Sequence, residues 1–271
     1  MSVDLNTYLH ELEMAKSVQE GILSVQHVQN CPGIQVVQRC VPAQRLAGDF
    51  YVLNTRSGKN LPQRTAIPGV IQFNESAETL VDLVIGDVAG HGISSALIMS
   101  LATVLLEENI GSCGSPKAVL AKTNADLMKY LQDSPHLFVT LFYASYGLQS
   151  KRLTYAKAGH HPVVLLRDGV LSELDVDGDM LGLYTEALFD EATVELQSKD
   201  RLLFYTDGLI ETQNEAGEEF GLDRFKAVFL AHQQDPLPVV MDELLTAVTT
   251  FSGNRPGQDD QTVILVETTD A

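Results

Sequence analysis

Basic residues are scarce in this chain: 18 Lys and Arg face 36 Asp and Glu, a formal charge of -18 over 271 residues. Such a balance repels a phosphate backbone, which excludes nucleic acid as an expected partner. Cysteine is scarcer still. Cys31, Cys40 and Cys113 are too few and too scattered for a disulfide framework or a thiolate metal site, and read as free thiols. Unbroken apolar runs of about 18 residues are missing. The opening MSVDLNTYLHELEMAKSVQE also lacks the apolar centre of a signal peptide. The expectation is a cytoplasmic chain with no membrane insertion. Repeats and low-complexity tracts are absent, as are a Gly-x-Ser-x-Gly elbow, a phosphate loop ending in Gly-Lys-Ser/Thr, a dinucleotide fingerprint and a His-Glu-x-x-His helix.

What the chain does have is apolar material: 45% hydrophobic residues, enough for one large domain with a short appendage. Residues 5–23 read as a helix with a wide apolar arc, from Leu5, Tyr8, Leu9 and Leu12 round to Met14, Val18 and Ile22. It either packs on its own domain or also pairs with a partner chain or sensor. After Pro32 and Gly33, IQVVQRCVPA reads as a strand, whereas 54–78 is rich in turn formers and reads as a loop or loose hairpin inserted between strands. A strand at 80–87 follows, then helices at about 93–109 and 116–132, the second capped by Ser115 with Pro116 in its first turn. From 136 the pattern is mostly strands, with Asp168-Gly169 as a hairpin turn and two helices near 222–233 and 237–251. Strand runs with paired helices imply an α+β fold of packed sheets rather than regular βαβ alternation.

Four carboxylate positions share one setting. Asp49 in LAGDFY, Asp87 in VIGDVAGHG, Asp207 in LLFYTDGLIE, and the pair Asp259 and Asp260 in GQDDQTVILV each lie where an apolar, strand-like run starts or ends. An Asp beside Gly86, Gly90 and Gly92 is also what an ordinary turn contains. Strand ends of one sheet system lie close together, however, and carboxylates gathered there raise one another's pKa unless a cation compensates them. A metal site is the economical reading. Oxygen ligands with no clustered Cys or His favour Mg²⁺ or Mn²⁺ over zinc. Two such ions about 3.5 to 4 Å apart can activate a water for attack on phosphorus. A cysteine-based route is poorly supported, since only four residues separate Cys40 from Arg45 in CVPAQR, one short of the usual loop.

These motifs in this order, with ELEMAKSVQEGIL before them and FVTLFYASY, LTYAKAGHHPVVLL and DRLLFYTDGLIETQNEAGEEFG between them, resemble the metal-dependent protein phosphatases of the 2C type, in their bacterial SpoIIE and RsbU branch. The resemblance covers nearly the whole chain. It implies a β-sandwich of two mostly antiparallel sheets flanked by helix pairs, with a two-metal site at one end. Residues 1–30 would form an N-terminal helical regulatory or dimerising segment, and 31–271 the phosphatase domain. It further implies that Asp87 bridges both ions, that the Val88 carbonyl holds one of them, and that Asp207 and Asp259 complete the other. Asp49 would act mainly through bound water. Asp260 adjoins the site and ranks behind Asp259 as a metal ligand. His91 has a loop-packing reading and a general-acid reading, and His160 and His161 read as structural.

The chain departs from the pattern in having Ala47-Gly48 for the usual paired glycines before the first Asp, and in the length of 54–78. The implied activity is a phosphoserine/phosphothreonine protein phosphatase of a partner-switching pathway, acting on a STAS-type anti-sigma-factor antagonist. No sensor or receiver precedes residues 5–23, so a separate activating partner, or a longer parent chain, is expected. The alternatives are a catalytically weak sequestering module on the same fold and a small-molecule phosphate-ester phosphatase, for which Arg45 is the one basic candidate near the first motif.

Overall fold

The computed structural model describes residues 5–24, 31–57, 63–64, 71–72, 78–131, 134, 136–253, 255 and 257–270. Helix α1 spans Leu5–Ser24, followed by strands β1 (Ile34–Val41) and β2 (Phe50–Ser57), the short pair β3 (Gln63–Arg64) and β4 (Ile71–Gln72), and β5 (Thr79–Val88). Two helices follow, α2 (Ile93–Ser112) and α3 (Pro116–Leu131), then β6 (Val139–Gly147), β7 (Arg152–Ala158), β8 (Val163–Arg167), β9 (Val170–Leu174), β10 (Ala192–Glu195) and β11 (Arg201–Tyr205). The one-turn helix α4 (Asp207–Ile210) leads to α5 (Leu222–Ala231), α6 (Leu237–Phe251) and β12 (Gln261–Thr268).

The long strands form two five-stranded antiparallel sheets, ordered β1-β12-β11-β8-β9 and β10-β7-β6-β5-β2. Alternation along β5 explains how they stack. Val81, Leu83 and Ile85 point into the sandwich with Phe142, Phe204 and Ile264, while Val84 and Val88 point outward beneath α2 and α3. On the other sheet Val164, Leu203, Tyr205 and Val263 point outward beneath α5 and α6. The result is the expected four-layer arrangement of helix pair, sheet, sheet and helix pair.

Helix α2 is long and on average apolar, and by length and composition alone it could cross a membrane. Its Met99, Ala102, Leu106 and Ile110 are fully buried against the sheet, as in the core helix of a globular domain. The Asp168-Gly169 turn has φ of 50° and 78°, the paired left-handed backbone of a tight two-residue hairpin. Ser115 Oγ accepts from the Ala118 N–H at 3.4 Å, with Pro116 opening α3 as expected. In the 54–78 segment β2 runs on to Ser57, and β3 and β4 pair antiparallel, Gln63 with Gln72 and Arg64 with Ile71. Most of that segment lies outside the described residues. Two elements escaped the sequence reading, β10 and α4, each only four residues long.

Candidate metal centre

Asp87 occupies the penultimate position of β5, in register with Thr140 of β6, and so stands at the end of one sheet. Asp207 opens α4 immediately after β11, and Asp259 precedes β12, so both come from the end of the other sheet. Asp49 directly precedes β2. The four motifs therefore meet at one end of the sandwich, as their strand-end settings predict.

Charge records the convergence. The Asp87 carboxyl is pushed up to about 7 by burial and then by the negative charges of Asp207, Asp259 and Asp260, with a hydrogen bond from Asp49 opposing the rise. Asp49 is 1% exposed and is driven well above the usual carboxylate range by burial first and the Asp87 charge second. Its Oδ2 accepts from Thr206 Oγ1 at 2.8 Å and Thr262 Oγ1 at 2.7 Å, two hydroxyls from strand ends in the opposite sheet. Asp259 is raised by burial and by Asp207, while His91 acts in the other direction.

Asp260 behaves differently from its neighbour. Its Oδ1 accepts from the Ala43 N–H at 2.7 Å and its Oδ2 from the Gly48 N–H at 2.6 Å, so both oxygens hold the loop before Asp49. Burial raises it, but these amides and that of Asp49 pull it back. Val88 closes β5, and its carbonyl faces Gly48, where a Cβ would stand only 3.1 Å away. Gly208 is needed for a similar reason, since a Cβ there would collide with the Asp260 carbonyl oxygen. That contact sets Asp207 beside Asp259. Gly90 and Gly92, with φ of 93° and 85°, turn the chain between Asp87 and α2.

The histidines take three places. His91 is exposed on this turn, its Nδ1 3.3 Å from Gln44 Nε2. His160 is buried, with Nδ1 2.9 Å from Thr140 Oγ1. His161 stacks on Tyr205, and the Asp207 charge reaches it. Arg45 is not a free cation at the mouth, because it is ion-paired with Glu13 of α1. Gln19 of α1 also grips this region: its Nε2 donates to the Ala47 carbonyl at 2.8 Å and its Oε1 accepts from the Ala47 N–H at 2.9 Å.

The donor set is all oxygen, which suits hard divalent cations. Charge chemistry points the same way, since the Asp87 charge raises Asp49 and those of Asp207, Asp259 and Asp260 raise Asp87, a repulsion that a cation relieves. Among the described residues no three His, Cys, Asp or Glu side chains are gathered closely enough to hold a metal ion as they stand. Sequence reasoning missed Thr206, Thr262 and Gln19. Only the TD of FYTDG and the QT of DDQTV could have signalled the hydroxyls, as side chains flanking the carboxylates.

The chain is similar to known phosphatases in sequence and in fold. The chain is 26% identical over 209 residues to the phosphoserine phosphatase RsbU of Bacillus subtilis, covering 76% of this chain and 55% of that protein. It is 26% identical over 266 residues to the phosphoserine phosphatase RsbP of the same organism, covering 97% of this chain and 59% of that one. The chain thus spans just over half the length of these relatives. Among solved structures, the SiaA-PP2C domain of Pseudomonas aeruginosa matches over 100% of both chains at 23% identity with a TM-score of 0.78. The catalytic domain of the serine/threonine phosphatase PstP, solved with two manganese ions, matches over 88% of this chain and 99% of that one at 16% identity and a TM-score of 0.58. At such identities the structures establish the shared fold. Residues 77–269, well over half of the chain, match the family model described as Stage II sporulation protein E, and the chain belongs to this SpoIIE family.

Proposed function

We propose that this chain is a cytoplasmic, metal-dependent phosphoserine/phosphothreonine protein phosphatase of a partner-switching pathway, with a phosphorylated STAS-type anti-sigma-factor antagonist as substrate. The observation that carries the reading is the convergence of Asp49, Asp87, Asp207 and Asp259 at one end of the sandwich, with the Asp87 carboxyl pushed up to about 7 by its acidic neighbours. When bound, two Mn²⁺ or Mg²⁺ ions supply charge neutralisation and Lewis-acid activation for hydrolysis at phosphorus.

Asp87, which lies among the carboxylates of both sheets, would hold the ions together with the Val88 carbonyl, Asp207 and Asp259. Asp49, fixed by Thr206 and Thr262, would act mainly through bound water. Asp260 braces the Ala43–Gly48 loop that presents Asp49 and is a support rather than a principal ligand. Residues 1–30 form the regulatory segment, and the grip of Gln19 and Glu13 on the 45–47 loop gives α1 a mechanical path to Asp49.

The test is phosphate release from a phosphoserine protein, with and without Mn²⁺, by the parent and by Asp87→Ala. Metal-dependent release that the substitution abolishes supports the reading. No release from any phosphoprotein by a chain with Mn²⁺ demonstrably bound refutes an enzyme active on its own and leaves an absent activating partner or the sequestering module. Faster turnover of an aryl phosphate than of every phosphoprotein would reassign the substrate class.

A further inference from the structure

We propose that Thr140 and His160 form a positioning pair that sets the gap between the two sheets at the carboxylate end, and so holds Asp87 at the right distance from Asp207 and Asp259. This rests on the metal-centre reading above.

The chain passes from one sheet to the other between β7 and β8, through Gly159, His160, His161 and Pro162. That crossover lies at the carboxylate end: Leu141 bridges to Gly159, its neighbour Thr140 pairs with Asp87, and His161 stacks on Tyr205 at 5.5 Å and 22°, two residues before Asp207. The two histidines therefore link the crossover to both sheets. His160 reaches back to β6, where Nδ1 meets Thr140 Oγ1 at 2.9 Å. His161 lies flat against β11. Pro162 confines His161 to extended backbone, which keeps the four-residue link stiff.

His160 is 5% exposed, and burial pushes its pKa down to about 3, so the ring is neutral and does not compensate the nearby carboxylates. Its Nδ1 is anchored by Thr140, the Tyr205 backbone in β11 also acts on the ring, and Nε2 is buried without a close hydrogen-bond partner. Burying an imidazole this incompletely satisfied is costly, and a purely space-filling role would be met by an apolar residue. What an apolar residue cannot supply is a directional tie between the crossover and the strand position beside Asp87. Ligands drawn from two sheets need that tie, because a site loosened by about 1 Å loses much of its function.

Thr140→Val removes the hydroxyl and keeps the shape, whereas Thr140→Ser keeps the hydroxyl. Calorimetric titration of the full chain with Mn²⁺ should show about tenfold weaker binding for Thr140→Val, the usual effect of losing a group that orients a ligand. Thr140→Ser should bind like the parent, and the melting temperature without metal should be similar in all three. The half-activating Mn²⁺ concentration for phosphate release should rise in step, with KM for the phosphoprotein unchanged. His160→Leu should match Thr140→Val, and the double variant should bind no more weakly than either. Parent-like Mn²⁺ affinity in Thr140→Val, or a Thr140→Ser variant as weak as Thr140→Val, overturns the proposal. A parent chain that binds no Mn²⁺ overturns instead the metal-centre reading and the positioning role with it.

Discussion

Asp82→Ala should lower the melting temperature by about 5 to 7 °C while leaving the carboxylate end intact. Asp82 is fully buried on the helix-facing side of β5, where Oδ2 accepts from Arg56 Nε at 2.6 Å and Oδ1 from Tyr143 and Ser145 hydroxyls, each at 2.7 Å. Removing the carboxylate leaves two hydroxyls without their acceptor and a guanidinium without its counter-charge. Breaking a buried pair by deleting one partner costs about 3–5 kcal/mol. The Arg56 side chain is 17% exposed and can recover some hydration, which favours about 3–4 kcal/mol. Unfolding 271 residues releases roughly 0.57 kcal/mol/K of entropy, which converts that loss into the stated shift. Asp87 lies five residues along β5, about 16 Å away, so metal-dependent phosphate release at 25 °C should be unchanged. The assay is thermal unfolding followed by circular dichroism, on Asp82→Ala and on Asp82→Ala/Arg56→Met. The double variant buries no orphan charge and should melt above the single one. A single variant melting within about 1 °C of the parent, or a double variant less stable than the single, refutes the reasoning.

Two further outcomes follow from the site. Asp260→Asn replaces one acceptor with a donor facing a backbone N–H, at a cost of about 1–3 kcal/mol, so release should fall but persist, whereas Asp259→Asn should abolish it. The reverse order, measured as phosphate release against Mn²⁺ concentration, would make Asp260 the ligand. The Cys40 thiol is pushed up to about 12 by burial and then by the Asp49 charge, so at pH 8 it is protonated, and iodoacetamide should leave it unmodified in the folded chain but not in denaturant. Rapid native alkylation detected by mass spectrometry would contradict that burial.

The four strand-end carboxylates were readable because each sits where an apolar, strand-like run starts or ends, a local feature of sequence. The supports were not readable in the same way. Thr206 and Thr262 bond an oxygen of Asp49 that is 157 and 213 residues away in the chain, and Gln19 reaches 28 residues to Ala47. No periodicity encodes a partner at that distance. Asp260 has the same composition context as Asp259, and only the backbone amides of Ala43 and Gly48 distinguish its role. β10 was hidden because its four residues alternate between half-buried and exposed and contribute little to the core. α4 was hidden because its four residues, a single turn, are too short to show a helical period.

The register of β12 carries a consequence for biosynthesis. β12 lies between β1 and β11, pairing Ile34 with Thr268 on one side and Tyr205 with Val263 on the other. During translation β1 emerges from the ribosome more than two hundred residues before the strand it must pair with, and it waits as an open edge throughout. The β2-β5-β6-β7 sheet, by contrast, can close as it is made, because its strands pair with near neighbours in sequence. Half of the sandwich can form on the nascent chain, while the other half, and the meeting of Asp49 with Asp259, belong to the moment after synthesis of β12. Any pause or truncation before residue 261 leaves a chain with one finished sheet, one unpaired strand and an exposed apolar face, the form that chaperones and proteases engage.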